Sequence, residues 1–97
     1  MNITVARIYV TEGQRVHEKI FERLHDEHKI KGVTMFRGIA GFGESGETHS
    51  SSLLDMSFDM PVIVEFFDEE ARVRAALDSL SDLTTSCRVI TFSAESI

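Results

Sequence analysis

Hydrophobic residues recur along the chain with two different periods, and the change of period separates predicted strands from predicted helices. Runs rich in β-branched residues predict four strands, whereas apolar residues spaced three and four positions apart predict two helices. The strands are predicted at 3–11, 33–40, 62–67 and 88–94, and the helices at 15–29 and from Asp68, as the N-cap, to about Ser81. The predicted buried stripe of the second helix comprises Val73, Ala76, Leu77 and Leu80.

The resulting order, β-α-β-β-α-β, is that of the ferredoxin-like α+β unit, a four-stranded antiparallel sheet with both helices on one face. A chain of 97 residues is the length of one domain, so we expect a single domain over residues 1–97. A long loop is predicted at about 41–59. In so small a domain, a loop of this length indicates a segment that binds something or is disordered.

The predicted strands are apolar on both faces. The first strand places Ile3, Val5 and Tyr9 on one face and Ala6, Ile8 and Val10 on the other. Two helices cover one face, and the second would be a larger exposed apolar patch than monomers usually carry. We therefore expect the sheets of several copies to pack together in a homo-oligomer closed by cyclic symmetry. The alternative is that the apolar residues within 53–58 fold over that face.

Composition narrows the classes of partner. A net charge of -6 and a pI of about 5.1 argue against binding to nucleic acid and against docking on an anionic membrane. No apolar run has the length of a membrane span and no signal peptide is recognisable, which predicts a cytoplasmic protein. Cys87 is the only cysteine, so no disulfide forms within one chain. It is either a small buried hydrophobic residue, which we favour, or a reactive thiol.

The candidate binding residues lie where the second predicted strand meets the loop. Arg37 is followed by Gly38, Gly41 and Gly43. Glycines let the backbone approach a ligand and point amides into one concavity, and arginine offers a planar fork to phosphate or carboxylate. His49, in the polar loop, could contact the ligand or titrate near neutral pH. The alternative is an arginine paired to a carboxylate, a glycine bulge and turn, and a solvated histidine.

Metal and catalytic chemistry find less support in the sequence. His25 and His28 are three residues apart and could share a metal ion, but a packed or surface pair is the alternative that we favour. No acid, base and nucleophile occur at spacings that sequence can connect. We therefore expect a protein that is not an enzyme, with no catalytic residues, no metal site and no cofactor.

The motifs of the chain resemble those of a known family. Its opening 6–12, the stretch Arg37-Gly38-Ile39-Ala40-Gly41-Phe42-Gly43, the later His49 and the stretch 59–65 resemble the PII-like family classed as domain of unknown function 190. Members are similar in fold to the PII signal proteins and the divalent-cation tolerance proteins. Those are ferredoxin-like trimers whose three sheets turn inward, so the resemblance implies a homotrimer.

The resemblance also implies a function. PII-type proteins bind adenine nucleotides in clefts between subunits and move a long loop to regulate a transporter or an enzyme. By this resemblance, Arg37, Gly38, Gly41, Gly43 and His49 would bind a small anionic ligand, an adenine nucleotide by expectation. Some members resemble partners of fluoride-channel proteins, which suggests a membrane transporter or channel as the partner. Two alternatives remain open: a divalent-metal-binding protein of the cation-tolerance type, or a ligand-free protein-interaction module.

Overall fold

The computed structural model describes residues 1–11, 15–42, 48–50 and 60–97, with the backbone alone for 48–50. Six strands and two helices occur within these ranges. In chain order they are β1 (Asn2–Thr11), α1 (Val16–Arg23, continued as a π-helical turn over Leu24–His28), β2 (Gly32–Arg37), β3 (Ala40–Phe42), β4 (Thr48–Ser50), β5 (Pro61–Asp68), α2 (Glu70–Ser79) and β6 (Arg88–Glu95).

Four of the strands form the main antiparallel sheet in the order β2-β5-β1-β6. The two long central strands pair over eight residues, from Thr4 opposite Asp68 to Thr11 opposite Pro61. Pro61 lacks an amide proton and occupies the first position of β5, where a strand tolerates proline. The ferredoxin-like α+β prediction is therefore confirmed.

The core lies between this sheet and the two helices. Ile8 and Phe66 on the sheet are fully buried, as are Ile20 and Leu24 on the first helical segment. The predicted stripe of α2 is also confirmed, since Val73, Ala76 and Leu80 are fully buried and Leu77 packs against them. No helix in the described ranges is both long and apolar enough to cross a lipid bilayer.

The first helix ends differently from the uniform helix predicted over 15–29. Its last turn is a π-turn that stops at Lys29, whose backbone is left-handed at φ 48°. The Lys29 amide donates to the carbonyl of Leu24, so the wide turn closes on itself. Left-handed backbone ends a right-handed helix, and glycine usually supplies it. The predicted end of the helix near residue 29 is therefore confirmed, whereas a lysine gave no signal of the π-turn or of the left-handed backbone.

The opposite face of the sheet is largely apolar, and no helix of the described residues lies over it. Register places Tyr9 beside Ile63 and Val5 beside Phe67 on this face, as the alternation in the strands predicted. Three large side chains stand out to solvent, with Phe36 46%, Ile90 38% and Phe92 41% exposed. We call this surface the open face. The segment 53–58, which we considered as a cover for it, lies outside the described residues.

Two predicted boundaries around the loop are wrong. The second strand ends at Arg37 rather than at residue 40, and residues Ala40–Phe42 pair with Thr48–Ser50 in a separate two-stranded sheet. The stretch predicted as loop from 41 to 59 therefore contains regular structure. The sequence does not reveal these two strands, because three residues are too few to show the alternation of apolar and polar positions that marks a strand.

Asp68 does not cap the second helix as predicted. The N-cap position belongs to Glu69, and Asp68 is the last residue of β5. Its carboxylate faces inward and is buried, so it serves several elements at once rather than one helix end.

Candidate functional site

The candidate site is built where β2 leaves the main sheet. Arg37 is the last residue of β2 and lies opposite Val62. The next amide, that of Gly38, donates to the carbonyl of Pro61 at 2.7 Å. The chain is thus held against the start of β5 for one residue beyond Arg37, and this fixes the point from which the loop begins.

Close packing explains why a glycine follows Arg37. A Cβ atom on Gly38 would lie 2.7 Å from Cγ of Pro61, nearer than real Cβ contacts allow. On Gly41 the same atom would lie 3.5 Å from that Cγ, an ordinary contact. Packing against Pro61 therefore requires a glycine at position 38, but it does not require one at position 41.

The small sheet brings together two of the predicted residues that are separated in sequence. Its register sets Gly41 opposite His49, with Ala40 opposite Ser50. Because β3 begins two residues after Gly38, the backbones of Arg37, Gly38, Gly41 and His49 lie in one region at the end of β2. The fifth predicted residue, Gly43, lies outside the described residues.

Two apolar side chains in this region point to solvent. Ile39 and Phe42 flank Gly41 and are both highly exposed. Arg37 is exposed as well, and it engages in an interaction within the structure. A charged fork next to glycine backbone and uncovered apolar surface can contact both the anionic and the apolar part of a ligand.

An ion pair occupies the middle of the open face. Nε of Arg7 lies 2.7 Å from Oε1 of Glu65, directly across the β1–β5 ladder. The guanidinium also stands 5.2 Å from the ring centroid of Phe92, within the range of a cation–π contact. The hydrogen bond that Arg7 donates to the carboxylate of Glu65 raises the pKa of Arg7. The sequence signal was present, because Arg7 and Glu65 interrupt otherwise apolar positions, but the strand register was needed to pair them.

Asp68 carries a buried carboxylate at the end of β5, whereas the candidate site lies beside the start of that strand. It accepts hydrogen bonds from the amides of Glu69 at 2.7 Å and Lys31 at 3.1 Å and from Nε of Arg72 at 2.9 Å. Burial alone would raise the pKa of Asp68, but these hydrogen bonds from Glu69, Arg72 and Lys31 outweigh it and lower the pKa. The charged form is therefore the one the fold requires.

Arg72 extends this network to the end of the first helix. One of its terminal nitrogens donates to the carbonyls of His28 at 2.6 Å and Lys29 at 3.1 Å. These are carbonyls that the helix end leaves without intrahelical partners. The Asp68–Arg72 pair thus ties the start of α2 to the end of the first helix, and we assign it a structural role.

Two of the three histidines of the first helix, His25 and His28, have partners other than a metal ion, whereas Nδ1 of the third, His17, is buried without a hydrogen-bond partner among the described residues. Nδ1 of His25 lies 2.7 Å from Oδ1 of Asp26, and Nε2 of His28 lies 2.8 Å from Oγ of Ser79. Within the described ranges no three His, Cys, Asp or Glu residues are grouped as a metal site would need.

Burial raises the pKa of the Cys87 thiol, which favours its protonated, unreactive form.

The fold places the chain in the class of PII-like and CutA1-like ferredoxin folds. One similar structure is that of CPII, a nitrogen regulatory PII-like protein from Thiomonas intermedia K12, bound to ADP, AMP and bicarbonate. It shares a TM-score of 0.69 and 19% identity, over 97% of this chain and 85% of that chain. Another is the divalent ion tolerance protein CutA1 from Ehrlichia chaffeensis, at a TM-score of 0.70 and 13% identity, over 99% and 84% of the two chains.

The chain itself belongs to the family of domain of unknown function 190, described as an uncharacterized ACR, which it matches over residues 3–96. A UPF0166 protein of Aquifex aeolicus (strain VF5) is 33% identical over 69 residues, which make up 71% of this chain. The match covers 65% of that relative, a little under two thirds of its length. The family resemblance predicted from the motifs is confirmed.

Proposed function

We propose that this protein is a non-catalytic regulator of the PII-like kind that binds a small anionic ligand, an adenine nucleotide, beside Arg37. The observation that carries the proposal is the way the chain leaves the main sheet. Arg37 and Gly38 are held at the edge by Pro61, and the chain passes directly into the small sheet in which Gly41 faces His49. A cation and accessible glycine backbone at a fixed point are what an anion site needs.

The open face supports the second part of the proposal, which is a homotrimer. Phe36, Ile90 and Phe92 leave apolar surface uncovered on a sheet whose other face carries the buried core. Turning the sheets of three copies toward a common axis would bury this surface. Because the ring is closed, no apolar face would be left to which a further copy could bind. The ligand would then lie in a cleft between neighbouring copies.

The third part concerns the loop. A ligand that contacts Arg37 and Gly41 touches both ends of the connection between the main sheet and the small one. Binding would thereby favour one arrangement of the loop over others, and the favoured arrangement would be read by a membrane transporter, a channel or an enzyme. The similarity of the fold to CPII, solved with ADP and AMP, supports the choice of nucleotide.

A thermal-shift titration with ADP and AMP, with mass by light scattering on the same sample, tests the proposal. A ligand that binds only the folded state raises the Tm as its concentration rises. We expect such a rise for the wild type and its loss for Arg37→Ala. The matched control is Arg74→Ala, which removes the same charge from the exposed surface of α2 and should keep the response.

Three results would count against the proposal. A trimer whose Tm no nucleotide shifts would favour the protein-interaction module. A rise in Tm with copper or zinc instead would favour the metal-binding alternative. The structurally similar CutA1 is named a divalent ion tolerance protein. A well-behaved monomer would remove the assembly on which the inter-subunit cleft depends.

A further inference from the structure

At its first residues, β2 borders a cavity that lies away from Arg37. The cavity has a volume of about 410 Å³ and lies between the end of the first helix and this edge strand. It is lined by Phe21, His25, Lys29, Ile30, Lys31, Gly32 and Val33. The five residue steps from Gly32 to Arg37 span roughly 17 Å of strand, so the two places cannot hold the same small ligand.

The floor and the rim of this cavity differ in chemistry. Ile30 and Val33 are partly buried apolar residues that pack against the core. Phe21 stands beside them with 36% of its surface exposed, although it is one of the largest apolar residues of the chain. Uncovered aromatic and aliphatic surface of this kind can pack against the apolar part of a small ligand.

The rim carries positive charge in a protein of net charge -6. Lys29 and Lys31 flank Ile30, and none of the described residues that line the cavity is an aspartate or a glutamate. Within the part of the chain that the structure describes, the Lys29 ammonium group has no ion-pair partner. That of Lys31 has Sδ of Met1 at 3.3 Å, a weak acceptor that leaves most of its hydrogen-bonding capacity unused.

The backbone around the two lysines is fixed by the fold. The carbonyl of Lys29 accepts a hydrogen bond from Arg72, and its amide donates one to the carbonyl of Leu24. The φ angle of Lys29 is 48°, a backbone conformation that residues other than glycine rarely adopt. The Lys31 amide is held by Asp68. The stems of both lysines therefore leave a rigid frame, which reduces the ordering cost of binding.

We propose that this cavity is a binding site for a compact anion with an apolar body, an aryl phosphate or aryl carboxylate. The ring would lie against Phe21, Ile30 and Val33, and the anionic group would accept hydrogen bonds from Lys29 and Lys31. This site is separate from the one at Arg37, and it stands or falls independently of the nucleotide proposal.

A nuclear magnetic resonance titration of the full-length protein with phenyl phosphate tests the site, using labelled amides and isoleucine and valine methyl groups. We expect shifts at Ile30, Lys31 and Val33 that saturate, and none of comparable size at Arg37 or Gly41. Inorganic phosphate and phenol, each offering one half of the ligand, should bind at least about tenfold more weakly, since each loses one set of contacts.

The variants separate this site from general attraction of anions. Lys29→Gln with Lys31→Gln should weaken phenyl phosphate about tenfold or more, and Phe21→Ala should do the same. Lys19→Gln is the matched control, because Lys19 lies on the far side of Phe21 in a neighbouring cavity that also contains acidic residues. The proposal is overturned if the methyl groups of Ile30 and Val33 do not shift, if Lys19→Gln weakens binding equally, or if inorganic phosphate binds as tightly as phenyl phosphate.

Discussion

The two faces of the main sheet are made by the same strands and differ in what covers them. On the helix side, Ile8, Val64 and Phe66 are fully buried. On the open face, Phe36 and Phe92 are more than two fifths exposed, and an Arg7–Glu65 ion pair lies among apolar neighbours. Apolar residues that face water gain nothing from the hydrophobic effect until something covers them. The helix side therefore stabilises the subunit, and the open face is available to stabilise an assembly.

The largest effect is expected when one phenyl ring is removed from each face of the sheet in turn. Phe66→Ala should lower the free energy of unfolding by about 3–5 kcal/mol at every protein concentration, because it leaves a cavity in the core. Phe92→Ala deletes the same atoms from the open face, where the subunit alone loses little. We expect it to lower the mass measured by light scattering and to make the Tm depend more strongly on protein concentration.

Chemical denaturation over a range of protein concentrations supplies the comparison. Equal and concentration-independent losses for the two variants would show that the open face is covered within one chain. If Phe66→Ala does not fold, Phe66→Leu offers a smaller cavity at the same place and the same comparison.

A smaller effect is expected from the buried carboxylate of β5. Asp68→Asn weakens hydrogen bonds to a charged acceptor and should cost about 1.5–3 kcal/mol of unfolding free energy. Because the pKa of Asp68 is lower in the folded than in the unfolded state, its contribution is complete above the unfolded value, about 3.9, and is lost as the pH falls through the folded value.

Denaturation midpoints measured from pH 7 to pH 2 check this prediction. The wild type should lose stability on acidification, and Asp68→Asn should lose less of it over the lowest part of that range. An identical pH profile for the two proteins would mean that Asp68 is not the group whose protonation weakens the fold.

The smallest effect is expected from the carboxylate on the open face, three residues earlier in β5. Glu65→Gln removes the charge that pairs with Arg7, and since water still reaches this pair, the loss should be smaller than for Asp68→Asn and should shrink in high salt. Denaturation in low and high salt, at a protein concentration too low for assembly, measures it. A salt-independent loss as large as that of Asp68→Asn would indicate that this face is already shielded from water within one chain.

Much of the fold was predictable because strand and helix periods are local. The four main strands, both helices and the apolar character of both sheet faces follow from residues two, three or four positions apart. The short strands β3 and β4 escaped prediction because each spans three residues. The π-turn before Lys29 escaped because a lysine gives no warning of left-handed backbone.

For the candidate site, residue type pointed to Arg37, Gly38, Gly41 and His49, and the structure gathers their backbones at one end of β2. Whether they bind a ligand stays a prediction. The reason for Gly38 was hidden, since it depends on Pro61, which is distant in sequence. The cavity beside Phe21 was hidden for a different reason: its lining residues are all close in sequence, but they come from a helix, a turn and the edge strand, and only the angle between these elements creates the cavity.

By itself, the sequence determined the order of the elements, which side chains share a face, and the excess of apolar surface, since these depend on local period and composition. The tertiary structure alone decided which face the helices cover, that Arg7 meets Glu65, and that Asp68 joins the ends of both helices rather than capping one. Each of these depends on strand register and helix packing, which bring together groups that no local pattern connects.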